Sequence, residues 1–249
     1  MNRLENKVAI ITGAASEIGR ATASLFVSEG ARVLVSDLSE GVCKAAVRQI
    51  GRENVSYLAC NVAEPEDNVK LAQRAVELFG GVDILIANAG IEGDTRDILS
   101  LTEEAFDLPY KVNVKGPFHG IRAVAKYMKK RGGGSVVIKS SIAAQRAGPL
   151  PYTTSQHAVT GLTRSAARQL ARYKIRVNSV NPGAVSTNMM YESRLQTGGA
   201  KVAGAMKAQI PLHRFATPAE IAEVILFLSS DASACITGSA YVIDGGELS

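Results

Sequence analysis

Two features of this chain have residue types and spacing suited to holding a dinucleotide. A β-branched run, Val8–Ile11, leads into Thr12-Gly13-Ala14-Ala15-Ser16-Glu17-Ile18-Gly19 and then into a helical pattern. A tight glycine turn between strand and helix aims backbone N–H groups and the positive helix terminus at a pyrophosphate. Gly13 permits the turn, Ala14, Ala15 and Ser16 are small enough for close approach, and Gly19 lets the helix pack near the sheet. The second feature is Asp37, which ends the next apolar run within reach of ribose hydroxyls. Its charge repels a 2′-phosphate, and Ala14, Ala15 and Leu38 offer no cation to bind one, so NAD is expected in preference to NADP. Asp37 and Ser39 can also cap a helix, which is compatible with the binding role.

Other chemistries find little support. Cys43, Cys60 and Cys235 are far apart with no C-x-x-C pair, and they read as buried free thiols. His119, His157 and His213 show no metal-ligand spacing, so no metal site is expected. The net charge is only +5, its cations are scattered, and there is no Trp or aromatic–basic interleaving, which argues against nucleic acid. The densest basic stretch, Lys126 to Arg131, precedes Gly132-Gly133-Gly134 and reads as a helix end in front of a glycine turn. No apolar run reaches membrane-spanning length and the first residues lack a signal-peptide pattern, so a cytoplasmic protein is expected.

The positioning elements are short β-branched runs alternating with longer helical patterns. Strands are predicted at Lys7–Ile11, Arg32–Ser36, Val55–Ala59, Val82–Ala87, Ser135–Lys139, Ile175–Val180 and Ala240–Ile243. Helices are expected to begin near Ile18, Glu40, Pro65, Thr102, Thr153 and Pro218. Apolar strands separated by helices give a doubly wound α/β fold, and no linker or repeat divides residues 1–249, so a single domain is expected. From Gly183 to about Arg214, with Met189, Met190, Tyr191 and Gly198-Gly199, no clear period appears; residues 184–216 read as a substrate lid.

Together, Thr12-Gly13 with Gly19, Asn88-Ala89-Gly90, Asn113, Ser140-Ser141, Tyr152 and Asn181-Pro182-Gly183 resemble the short-chain dehydrogenase/reductase family, in order and over nearly the whole chain. The resemblance implies a Rossmann-type, seven-stranded, mostly parallel sheet and a nicotinamide cofactor. It implies Tyr152 as acid/base, Ser140 or Ser141 as hydrogen-bond donor to the substrate oxygen, and Asn113 holding a water in a proton relay. Around the cofactor it places Gly13, Ser16, Glu17, Ile18, Gly19, Asp37 and Leu38 at one end and Asn61, Val62, Asn88, Ala89 and Gly90 beside them. Tyr152, Gln156, Pro182, Gly183, Val185 and Thr187 are implied at the nicotinamide end. A homotetramer or homodimer is implied too, with the helix after Tyr152 offering Ala158, Leu162, Ala166, Ala167 and Leu170 to an interface or to the core.

Three positions depart from the family. Gln156 stands where the family has a lysine that binds the nicotinamide ribose and lowers the tyrosine pKa; glutamine can hydrogen-bond but brings no charge. Arg146 and Arg164 are the nearest other cations in sequence. Glu17 stands where the turn usually has glycine, either crowding the pyrophosphate or pointing outward. Asn61 stands where an aspartate often meets the adenine. The stretch from Ser141 to Tyr152 is also shorter than usual. The expected function is NAD(H)-dependent interconversion of a secondary alcohol and a ketone, weak or alkaline-shifted because of Gln156. The alternative is a dinucleotide-binding protein or variant that has lost catalysis. Residues Ile91–Arg96, Ile142–Leu150 and the lid suggest a small, moderately apolar substrate.

Overall fold

Alternate residues along the central strands face two different helical layers, which is why those strands read as unbroken apolar runs. In the structure, a computed structural model that describes residues 2–51, 53–190 and 199–249, the strands are β1 Val8–Thr12, β2 Arg32–Asp37, β3 Val55–Ala59, β4 Ile84–Ala87, β5 Gly134–Lys139, β6 Ile175–Pro182 and β7 Ala240–Ile243. They form one seven-stranded sheet in the order β3-β2-β1-β4-β5-β6-β7. Every neighbouring pair is parallel, so the sheet is wholly rather than mostly parallel.

On one face Val8, Ile10, Leu34, Leu85, Val136 and Ile138 pack under helices α3 (Pro65–Phe79), α5 (Gly116–Lys130) and α6 (Leu150–Leu170). On the other, Ala9, Ile11, Val33, Val35, Ile86 and Val137 pack under α1 (Glu17–Ser28) and α9 (Pro218–Ser229), with α2 (Glu40–Ile50) at the margin. Strand order reverses between β1 and β4, and such a fold places its ligand crevice beyond the carboxyl ends of the strands at that point. β4 begins at Ile84, later than expected, because Asp83 turns its carboxylate to accept from Val8 N–H and Arg131.

The helices match their expected starts except in three places. α6 begins at Leu150 rather than Thr153, since Pro149 and Pro151 fit the N-cap and first turn, where no intrahelical N–H is needed. α4 (Glu103–Tyr110) continues through a π-helical turn, Lys111–Lys115, into α5, whose Gly116-Pro117 start hid it as a separate element. The segment read as aperiodic contains a short turn, α7 (Asn188–Met190), and a true helix, α8 (Gly199–Ala208). Val202, Ala203 and Met206 of α8 pack against Met190, Ile210 and Phe215, a small cluster separate from both main layers. Tyr191 and Gly198 lie outside the described residues.

Lys129 and Lys130 end α5 ahead of Gly132, whose φ of +87° makes the expected glycine turn. Cys43 and Cys60 are buried, but Cys235 is exposed, contrary to expectation, because it sits in the surface turn after α9. Among the described residues no helix is long and apolar enough to cross a membrane, and no group of His, Cys, Asp and Glu could hold a metal ion.

Candidate active site

The turn after β1 is built so tightly that its glycines are obligatory. Gly13 has φ +65°, and a Cβ there would lie 2.7 Å from the Ala89 Cα. A Cβ on Gly19 would lie 2.4 Å from the Gly13 carbonyl oxygen. Asn88 holds the turn from β4, its Nδ2 donating to the carbonyls of Thr12 at 3.0 Å and Gly13 at 2.9 Å. Ser16 caps α1, its hydroxyl accepting from Gly19 N–H. Asp37 reaches across from β2: one carboxylate oxygen accepts from Ala15 N–H at 3.0 Å and the other from Leu38 N–H at 2.8 Å. The turn is therefore pinned by hydrogen bonds from β2 and from Asn88, and its Gly13 and Ser16 line a cavity.

That cavity, about 190 Å³, is lined by Gly13, Ser16, Asp37, Leu38, Asn61, Val62, Asn88, Ala89 and Gly90, joined by Cys60, Ile91, Val112 and Lys139. Every residue expected around the adenosine end, apart from the turn's own Glu17, Ile18 and Gly19, meets here. Asn61 spends its side-chain oxygen on Ala63 N–H, making a local turn. Asn88 Oδ1 is buried without a hydrogen-bond partner and belongs to the same wall. A cradle that admits no side chain and an orphaned polar atom beside it both fit a nucleotide.

A second cavity, about 120 Å³, continues past the ends of β5 and β6. Ile18, Ser140, Ser141, Tyr152, Pro182, Gly183, Val185 and Thr187 line it, with Glu92, Ile142, Arg146, Ala184 and Met190. Among the described residues, Lys139 is the one that lines both cavities. In the sequence it is only the last residue of the strand expected at Ser135–Lys139. A cation ending a central parallel strand in this fold class was the available signal.

The two serines separate clearly. Ser140 continues the pairing of β5, its N–H bonding Val180 O, and its hydroxyl donates inward to Gln156 Oε1 at 2.9 Å. Both side chains are 2% exposed, and Gln156 lines neither cavity. Ser141 is less buried; its hydroxyl oxygen accepts from Ala143 N–H, which leaves its proton uncommitted among the described residues. Asn181 holds this loop by donating to Ser141 O.

Asn113 lies in the π-helical turn, with its side chain fully engaged. Its Oδ1 accepts from Ile91 N–H at 2.9 Å, and its Nδ2 donates to Ile91 O at 2.9 Å and to Ser155 Oγ at 3.0 Å. Ser155 in turn donates to Tyr152 O, so Asn113 ties the start of α6 to the loop after β4. Glu17 points outward from the turn and accepts from Asn188 N–H at 3.0 Å, linking the glycine turn after β1 to α7. Of the two arginines nearest in sequence, Arg146 pairs with Glu247 and Arg164 is exposed. Lys139 differs from both. Its remaining exposed surface opens into the cavities, no carboxylate pairs with it among the described residues, and burial pushes its ammonium down to about 8.

Residues 13–247 match the protein family described as enoyl-(acyl carrier protein) reductase. The chain is 38% identical to human dehydrogenase/reductase SDR family member 4, over 98% of this chain and 88% of that one. It is 39% identical to a 3-oxoacyl-(acyl-carrier-protein) reductase of Thermotoga maritima, over 98% of both chains. Among solved structures, levodione reductase superposes with a TM-score of 0.93 at 32% identity, covering 98% of each chain.

Proposed function

The chain belongs to the short-chain dehydrogenase/reductase family, and from that premise we propose that it is an NAD(H)-dependent oxidoreductase interconverting a secondary alcohol and a ketone. The observation that carries this reading is the shared wall at Lys139. The cavity of the Gly13 turn and Asp37 adjoins the cavity of Ser141 and Tyr152, with Lys139 lining both. A bound nicotinamide dinucleotide supplies a hydride to a carbonyl carbon, or takes one from a carbinol.

In the reductive direction Ser141 donates its free hydroxyl proton as a hydrogen bond to the carbonyl oxygen. Tyr152 gives that oxygen its proton as negative charge develops; in the oxidative direction the phenolate takes it back. Ser140 is assigned to holding Gln156 rather than to the substrate, because its hydroxyl proton is already committed. Asn113 positions α6, and any water relay through this residue falls to its main chain. Asp37 selects NAD by repelling a 2′-phosphate. Residues 184–216, with the Met190–Phe215 cluster, act as the substrate lid. Leu108, Tyr110 and Phe118, exposed on α4 and α5, supply apolar surface for a homodimer or homotetramer.

Fluorescence titration with NADH and NADPH, followed by a panel of apolar ketones and secondary alcohols assayed by NADH absorbance, tests the proposal. Preferential NADH binding and turnover abolished by Tyr152→Phe are expected. Tight NADH binding with no turnover across the panel favours the second reading, a dinucleotide-binding protein without catalysis, for which Gln156 is the motivating residue.

A further inference from the structure

We propose that Lys139 supplies, from the end of β5, the active-site positive charge that position 156 does not, and that it acts through the Tyr152 phenol as a positioning cation. The inference rests on the assignment of Tyr152 as acid/base.

Three observations converge on it. First, the side chain at 156 is neutral, 2% exposed and turned onto Ser140, so it neither lines a cavity nor carries charge. Second, Lys139 borders both cavities, and among the described residues only it does so. Its Nζ lies 3.4 Å from where a Cβ on Gly90 would be, so the missing side chain at Gly90 leaves room for the ammonium. Third, the charge is held at a cost that packing does not require. β5 otherwise presents Val136, Val137 and Ile138 to the core, and an apolar residue at its end would avoid desolvating an ammonium.

The neighbouring ionisable groups make the charge effective. On the substrate side Lys139 shares its cavity with Glu92, Arg146 and Tyr152, of which Arg146 is paired with Glu247. On the nucleotide side it shares a wall with Asp37 and with Cys60, whose thiol burial pushes up to about 12 and so keeps neutral. A cation bordering the cavity of a phenol favours the phenolate and lowers its pKa, as a lysine four residues after the tyrosine does in the family. With its own titration near 8, Lys139 is mostly charged at neutral pH. Above that pH its support for the phenolate fades.

The test needs no knowledge of the substrate. The Tyr152 titration is isolated as the tyrosinate absorbance of the full chain minus that of Tyr152→Phe, then repeated in a Lys139→Met background. Lys139 loses most of its charge below the pH at which a free phenol ionises, so a permanent charge is compared with none: the Tyr152 pKa in Lys139→Arg is expected about one unit below that in Lys139→Met, a tenfold gain of phenolate at fixed pH. The wild-type chain is expected to carry more phenolate than Lys139→Met near pH 7 and to converge with it above about pH 9, a pH-dependent gap that a merely structural role for position 139 would not produce. If Lys139→Met fails to fold, Lys139→Gln is read in the same way. Coincident Tyr152 titrations in folded, NADH-binding Lys139→Arg and Lys139→Met overturn the proposal. Failure of the wild-type chain to bind NADH or NADPH instead defeats the functional reading, and the two failures are told apart by the binding measurement.

Discussion

Replacing Lys139 with methionine should stabilise the protein while impairing its site. The ammonium falls from its ordinary 10.5 to about 8 through burial, with no hydrogen bond or carboxylate among the described residues offsetting the cost. That drop corresponds to about 3 kcal/mol against the charged folded state at neutral pH. Because the side chain borders open cavities, water screens part of the cost, and a gain of roughly 1–3 kcal/mol is the working expectation. The sign follows from proton binding. The folded-state pKa is depressed, so between about pH 8 and 10.5 the unfolded chain binds more protons at this residue than the folded chain does. Wild-type stability therefore rises with pH across that window and carries the full penalty below it. Urea unfolding at pH 7 and at pH 10 checks both parts: Lys139→Met should be more stable at pH 7, and its advantage should shrink at pH 10. A variant less stable than wild type at pH 7 would show that the ammonium has a compensating partner, and would refute the reasoning.

Three further outcomes follow from the geometry. Gly13→Ala places a Cβ 2.7 Å from the Ala89 Cα at a φ of +65°, and NADH affinity by fluorescence titration should fall at least ~10-fold. Glu17→Gln keeps an acceptor for Asn188 N–H but removes a negative charge from the turn proposed to hold the pyrophosphate, so NADH should bind a few-fold more tightly, most clearly at low salt. Asp83→Asn leaves the Arg131 guanidinium without its bidentate carboxylate (2.8 and 2.9 Å) and should cost about 2 kcal/mol in urea unfolding, with NADH binding unchanged.

The sheet and the glycine turn after β1 were legible in the sequence because both depend on local signals. Apolar runs such as Val8–Ile11 and Arg32–Ser36 can only be parallel strands covered on both faces, and the Gly13 turn must join strand to helix. The helix α8 was not legible. Its Ala- and Gly-rich sequence, Gly199–Ala208, has weak periodicity, and its packing partners Met190, Ile210 and Phe215 come from flanking segments. Glu17 could be read either as crowding the cofactor or as pointing away, because only the tertiary position of Asn188 decides it.

The chemical end divided in the same way. Tyr152 and the serine pair could be named from their order in the chain, but which serine keeps its hydroxyl proton uncommitted depends on the β5 register that sends the Ser140 hydroxyl toward Gln156. Lys139 escaped notice because a strand-terminal lysine looks like a solvated end. Only the sheet order brings that end to the crevice between the two cavities.

The central claim, that Tyr152 drives reversible hydride transfer with a nicotinamide dinucleotide, is tested most directly by isotope transfer. The chain is incubated with NADH deuterated at the transferable position and a panel of apolar ketones, and the products are read by mass spectrometry. Deuterium should appear at the carbinol carbon of at least one product with the wild-type chain, and in none with Tyr152→Phe. Saturating NADH binding with no labelled alcohol from the wild-type chain, or undiminished labelling by Tyr152→Phe, would contradict it.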